Sequence, residues 1–149
     1  VYIPPTVKRE LYNAADQVPA VRQVVEADWI HVHSVDSMAY TAAFSRYYDR
    51  LVAGGKNVGE CEVLAMGKIY GCEIVLDDAA PRRIADEEGI RVTATVPILC
   101  DAIREKKLTT VMVEELADNL LEGDYFLPFG PGGFRQHVLE HSLLDYDEL

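Results

Sequence analysis

Apolar residues follow two rhythms along this chain, short unbroken runs and longer stretches in which they return every third or fourth position. Val1-Tyr2-Ile3 is the first run and reads as a strand. Pro4-Pro5 stop it and suit the first turn of a helix, where a ring with preset φ and no N–H costs nothing. Val7, Leu11 and Ala14 or Ala15 follow at helical spacing, with Glu10 one turn in. A second short helix is expected from Pro19 to Ala27, and Trp29 to Val35 alternates as a strand does. Met38, Thr41, Ala42, Ser45, Tyr48 and Leu51 predict a helix over 37–51, capped by Asp36 or Ser37 and ended by Ala53-Gly54-Gly55.

The densest apolar stretch lies between Gly59 and Asp78. A helix bearing Cys61, Val63, Leu64, Ala65, Met66 and Ile69 begins at Gly59-Glu60-Cys61-Glu62. Ile74-Val75-Leu76 then forms a strand that ends in Asp77-Asp78. If helix and strand pack antiparallel, the start of one and the end of the other share an edge, which gathers four carboxylates at one rim. Pro81 opens a helix to Glu88 that Gly89 closes in the manner of a C′ residue. Ile90 to Thr93 is a strand, and helices follow over 96–104 and 110–121. This alternation predicts an α/β domain with a mostly parallel sheet.

Phe129-Gly130-Pro131-Gly132-Gly133 marks a boundary, because Gly and Pro together punctuate a chain. Residues 130–149 then read as an acidic tail in which Val138, Leu139 and Leu143 suit a short amphipathic helix. The tail has one Arg and four acids, net −3, which leaves −8 of the total −11 for the domain before it.

With 149 residues, 49% hydrophobic and 26% charged, the chain suits one globular domain rather than a disordered one. No apolar run approaches the ~20 residues of a membrane helix, and the first residues do not make a signal peptide, so a cytoplasmic location with no membrane contact is expected. Cys61, Cys72 and Cys100 have no metal-ligand spacing and read as reduced thiols. The acidity repels nucleic acid in general, yet gathered acids also make a cation site, so a nuclease is not excluded.

In parallel α/β sheets, ligands bind beyond the carboxyl ends of the strands. Asp77 and Asp78 stand at such an end, and Glu10, Glu60 and Glu62 lie in helices that lead to the same edge. Hard oxygen ligands of this kind suit Mg²⁺ or Mn²⁺, and the chemistry implied is metal-assisted phosphodiester hydrolysis. Each acid alone has a plainer reading, as a partner of the helix dipole or as a turn residue. Convergence of three segments favours the site, since unpaired like charges cost stability without a cation.

Other features rank lower. His31 and His33 share a strand face, and His137 and His141 are one helical turn apart. Without further ligands nearby, both pairs are expected to face solvent. Arg82-Arg83 and Lys106-Lys107 suit an RNA backbone, although Arg82 pairs equally well with Asp78 or a core carboxylate. Tyr47-Tyr48 read as packing aromatics. No P-loop, Gly-x-Gly-x-x-Gly or Ser-His-Asp order is present.

Taken as a set, Gly59-Glu60-Cys61-Glu62-Val63-Leu64-Ala65, Gly71, Ile74-Val75-Leu76-Asp77-Asp78, Arg82-Arg83-Ile84-Ala85, Gly89-Ile90-Arg91-Val92 and Thr93-Ala94-Thr95 resemble the PIN-domain nucleases, nearest to their small VapC-like prokaryotic branch. Ile3-Pro4-Pro5-x-Val7-x-x-Glu10-Leu11 resembles the family's second strand and following helix. The likeness covers roughly 1–129 and is strongest from Gly59 to Thr95. It implies a three-layer α/β/α fold and a Mg²⁺- or Mn²⁺-dependent endoribonuclease, often a toxin held by an antitoxin protein and commonly a homo-oligomer such as a dimer.

Glu10, Glu60 and Asp78 are then catalytic metal-site residues, with Glu62 and Asp77 as further metal ligands and Arg82 and Arg83 contacting RNA. One departure stands out: the family opens with a central strand ending in an Asp, and no Asp precedes Glu10 here. That strand is expected from a segment before Val1 or from another chain. A closed sheet built from residues 1–149 alone would refute this. The alternative function is a PIN-like RNA- or protein-binding module without catalysis.

Overall fold

The computed structural model describes residues 1–16, 18–52, 56–123 and 125–149. The expected alternation appears as two units, Val1–Val92 and Thr93–Leu149. The first begins with β1 (Tyr2–Ile3), α1 (Pro5–Ala15), α2 (Pro19–Val25) and β2 (His31–Val32). It continues with α3 (Met38–Leu51), α4 (Val58–Tyr70), β3 (Ile74–Val75) and α5 (Ala79–Glu88), and β4 (Val92–Thr93) stands where it ends. The Ala53-Gly54-Gly55 terminator lies outside the described residues.

Local chemistry accounts for most of these boundaries. Pro5 takes the first helical position of α1. The Ser37 hydroxyl accepts the Tyr40 amide at 3.1 Å and caps α3. Gly71 and Gly89 take the left-handed conformation that ends α4 and α5. Pro81 falls in the first turn of α5, where a missing N–H is tolerated.

The strands are shorter than the periodicity predicts. β1 and β2 are parallel with Tyr2 opposite His31 and Ile3 opposite Val32, and the α1–α2 connection crosses between them. The His31 and His33 amides donate to the Val1 and Ile3 carbonyls, each at 2.9 Å. β3 pairs with β4 separately. Among the described residues the strands thus make two two-stranded sheets and no continuous sheet. Trp29, His31 and Val32 are all exposed, so the 29–35 alternation has no buried face to extend it.

The core of this unit centres on α4, where Cys61, Leu64 and Ala65 are fully buried against Tyr47, Ile74 and Ile84. Burying a side chain such as Leu64 contributes ~1.5–3 kcal/mol relative to leaving it in water. Gly67 permits the closest approach: a Cβ there would stand 2.7 Å from Ile90 Cγ2 and 2.8 Å from Ile74 Cγ2. At the rim, Glu88 accepts Lys68 at 3.0 Å and Arg46 at 3.3 Å, tying α3, α4 and α5 together. Tyr47 and Tyr48 divide, since Tyr47 is buried whereas Tyr48 is part-exposed and lies 5.7 Å from the Phe44 ring.

The second unit contains α6 (Thr95–Arg104), α7 (Thr110–Glu122), α8 (Phe134–Glu140) and a 3₁₀ turn at Tyr146–Glu148. Its core joins Leu99, Cys100, Val113 and Ala117 to Phe134 and Val138. Residues 130–149, which read as a tail, therefore carry α8 and supply Phe134, Val138 and Leu144 to this core. Gly132 turns through a positive φ and donates its amide to Asp118 at 2.8 Å. Arg135 binds Glu114 through two nitrogens, and Arg104 reaches Asp101, Glu148 and the Leu143 carbonyl. Among the described residues no helix is long and apolar enough to cross a membrane.

Candidate acidic site

The first turn of α4 and the second turn of α1 meet at Gly59. Lacking a side chain, Gly59 lets α1 lie close: a Cβ there would sit 3.1 Å from Val7 Cγ2 and 3.4 and 3.6 Å from the two Glu10 carboxylate oxygens. Glu10 thus hangs over the start of α4, where Glu60 and Glu62 follow at half-buried positions. Glu10 is itself exposed, and partial desolvation of its carboxyl at the crossing with α4 raises its pKa; Glu60 adds to the rise, Arg9 opposes it, and Glu62 adds a last increment. The three acids share one field, which the N-terminal dipole of α4 moderates.

Glu62 has a second task. Its Oε2 accepts the Thr6 amide at 3.0 Å. α1 starts at Pro4-Pro5, and Pro4 carries no side-chain acceptor, so the free amide in the first turn takes a carboxylate from another helix. Cys61 faces the core between the two acids. Burial first, then Glu60 and Glu62, push its thiol up to about 11, which makes it a poor nucleophile.

Tyr40 of α3 completes the surroundings. Its hydroxyl is pushed up to about 12 by burial, by Glu62 and by Tyr70. Tyr70 shares a 2.9 Å hydrogen bond with Nε2 of His33. Neither tyrosine is marked by the sequence. Tyr40 lies outside the helical pattern of Met38, Thr41, Ala42, Ser45, Tyr48 and Leu51, Tyr70 merely precedes a terminating glycine, and both depend on contacts from distant segments.

The other expected residues are placed differently. Asp77 is half-buried at the end of β3 and engaged in an interaction there. Asp78 is exposed at the N-cap position of α5 without a side-chain bond to that helix. Neither is among the charges that shift Glu10. Arg82 and Arg83 are exposed on α5; Arg83 lies 4.0 Å from Glu87, and Arg82 has no side-chain partner among the described residues, Asp78 included. His137 stacks on His141 at 4.2 Å, and burial followed by His141 lowers its pKa. Cys61, Cys72 and Cys100 are free.

Among the described residues, no three His, Cys, Asp or Glu side chains stand close enough to hold a metal ion by themselves. Mg²⁺ makes a smaller demand, since it keeps several waters and commonly takes one or two carboxylates together with a substrate phosphate. Glu10 and Glu60, mutually repelling hard donors, fit that requirement.

Short parallel pairing, flanking helices and acids at a helix start define an α/β domain with an acidic site. The family model for the PIN domain matches residues 1–129, and the chain belongs to that family. PIN domains are typically nucleases, hydrolases that usually use divalent metals. Comparison with curated proteins and with solved structures gives no match.

Proposed function

We propose that this protein is a divalent-metal-dependent endoribonuclease whose metal-site carboxylates are Glu10 and Glu60, while Asp77 and Asp78 stand apart from that pair at the end of β3. The observation that carries the reading is the meeting of the exposed Glu10 with the start of α4, where its carboxylate oxygens overlie Gly59 and the neighbouring charge of Glu60 joins partial desolvation in raising its pKa. Keeping such a pair beside a half-buried helix start costs stability unless a cation offsets the repulsion. When bound, Mg²⁺ or Mn²⁺ supplies Lewis-acid stabilisation of the phosphate and activation of water.

The residues of the chain do the rest. Glu10 and Glu60 hold the cation through hard oxygens, and Glu62 fixes the crossing of α1 and α4 through the Thr6 amide. Arg82, exposed and unpaired among the described residues, is available to a phosphate oxygen. A toxin role under the control of an antitoxin belongs to the same reading. A second reading, an RNA-binding module without hydrolysis, draws on the lack of any three ligands standing together among the described residues.

The test is cleavage of a fluorescent single-stranded RNA with Mn²⁺ or Mg²⁺, compared with chelator and with Glu60→Gln. Metal-dependent cleavage that falls at least ~100-fold in Glu60→Gln supports the nuclease. Equal cleavage by Glu60→Gln, or none by the unaltered chain, overturns it, and RNA binding without cleavage favours the second reading.

A further inference from the structure

One face of the β1–β2 pair is lined with rings. Tyr2 and His31 are register partners and His33 lies two residues on, so all three side chains stand on the same side of the strands. The Tyr2 centroid is 5.5 Å from His31 and 6.0 Å from His33. Tyr70, from the last turn of α4, adds a fourth ring 5.3 Å from His33. The His33–Tyr70 hydrogen bond ties a strand to a helix, and that structural role is sufficient for those two. It does not account for Tyr2, 66% exposed, or for the open half of Tyr70. Burial alone would cover such rings; here they are presented.

Two further observations say what they are presented to. One is that Tyr70 closes the same helix, α4, that Glu60 and Glu62 begin, and that Tyr40 of α3 feels both Tyr70 and Glu62. The other is that α1, which leaves β1 directly, carries two cations despite the net −11: Lys8, 5.5 Å over the Tyr12 ring, and Arg9, beside Glu10. Aromatic faces beside a few cations suit unpaired bases, which every sequence offers to a ring.

We propose that Tyr2, His31, His33 and Tyr70 form a stacking platform for unpaired bases of single-stranded RNA that runs on to the Glu10–Glu60 site. This rests on the nuclease reading for its ligand but is tested apart from it. The full chain is titrated, in chelator, into a short RNA carrying 2-aminopurine, with anisotropy for affinity and quenching for stacking. The unaltered chain quenches the probe, Tyr2→Ala and Tyr70→Ala bind roughly tenfold more weakly with quenching lost, and Tyr2→Phe keeps both. His31→Ala, also at an exposed position, is the second variant, and circular dichroism verifies that each is folded.

Unchanged binding and quenching in Tyr2→Ala and His31→Ala overturn the platform, as does equal competition by a duplex of the same sequence. A separate Mn²⁺ cleavage assay distinguishes the two ideas. Cleavage with unaffected Tyr2→Ala binding removes the platform and leaves the nuclease. Quenched, Tyr2-dependent binding without cleavage does the reverse.

Discussion

Replacing Gly67 by Ala sets a helix-forming gain against a steric cost. In an exposed helix the change stabilises by ~1 kcal/mol, because alanine loses less conformational freedom. At this position the new methyl would lie 2.7 and 2.8 Å from the Cγ2 atoms of Ile90 and Ile74, against ordinary carbon contacts of ~3.5–4.0 Å. Both groups must retreat by roughly 1 Å to restore such contacts. Neither is the free end of a flexible chain, since Cγ2 hangs on the branched Cβ and moves only with χ1 or the backbone.

Overpacking of this kind costs ~1–3 kcal/mol, so after the ~1 kcal/mol helix gain the net expectation is a loss of up to ~2 kcal/mol. Urea unfolding followed by the single tryptophan, Trp29, reads the first unit and should move its midpoint down by up to about 1 M. In an Ile90→Ala background the penalty of Gly67→Ala should shrink by ~0.5 kcal/mol or more, since the nearest methyl is gone. A midpoint that rises, or a penalty unaltered by Ile90→Ala, would refute the close approach of α4 to these residues and the resulting placement of Glu60.

Tyr47→Phe should leave the first unit as stable or raise it by ~1 kcal/mol, because the Tyr47 hydroxyl is buried without a hydrogen-bond partner among the described residues; a loss above ~1 kcal/mol in thermal unfolding would contradict that. Glu88→Gln should lower stability at neutral pH by ~0.5–1 kcal/mol after solvent screening. The Lys68 hydrogen bond holds the Glu88 carboxyl below its ordinary 4.5, so its contribution is present above that pH and lost as pH falls through the depressed value. Melting curves of the two proteins should converge at the acid end and in high salt; a constant gap would show that charge is not the cause.

Where local chemistry decides, the sequence was readable. Proline after Ile3, serine before Met38 and glycine after Glu88 each solve a terminus problem with the nearest atoms available, and α1, α3 and α5 begin or end there. Strand extent was less readable, since it depends on what covers each face, and alternation over 29–35 carries no such information. The site divides in the same way. Glu10, Glu60 and Glu62 could be suspected from the convergence of their helices on one predicted edge and do share one field. The Tyr40–Tyr70–His33 surroundings could not, because they join three segments with no common local pattern. Nor does any motif link Glu62 to Thr6, although a helix that starts with two prolines leaves an amide wanting an acceptor.

That bond has a bearing on the order of events when the chain is made. Thr6 leaves the ribosome 56 residues ahead of the carboxylate that receives its amide. At synthesis rates of ~5–20 residues per second, this is an interval of roughly 3–11 s. Throughout it the start of α1 has only water as a partner, and the helix is completed from outside when the first turn of α4 arrives. The meeting of Glu10 with Glu60 therefore waits on the same moment: the acidic site and the helix that carries its first member are finished together.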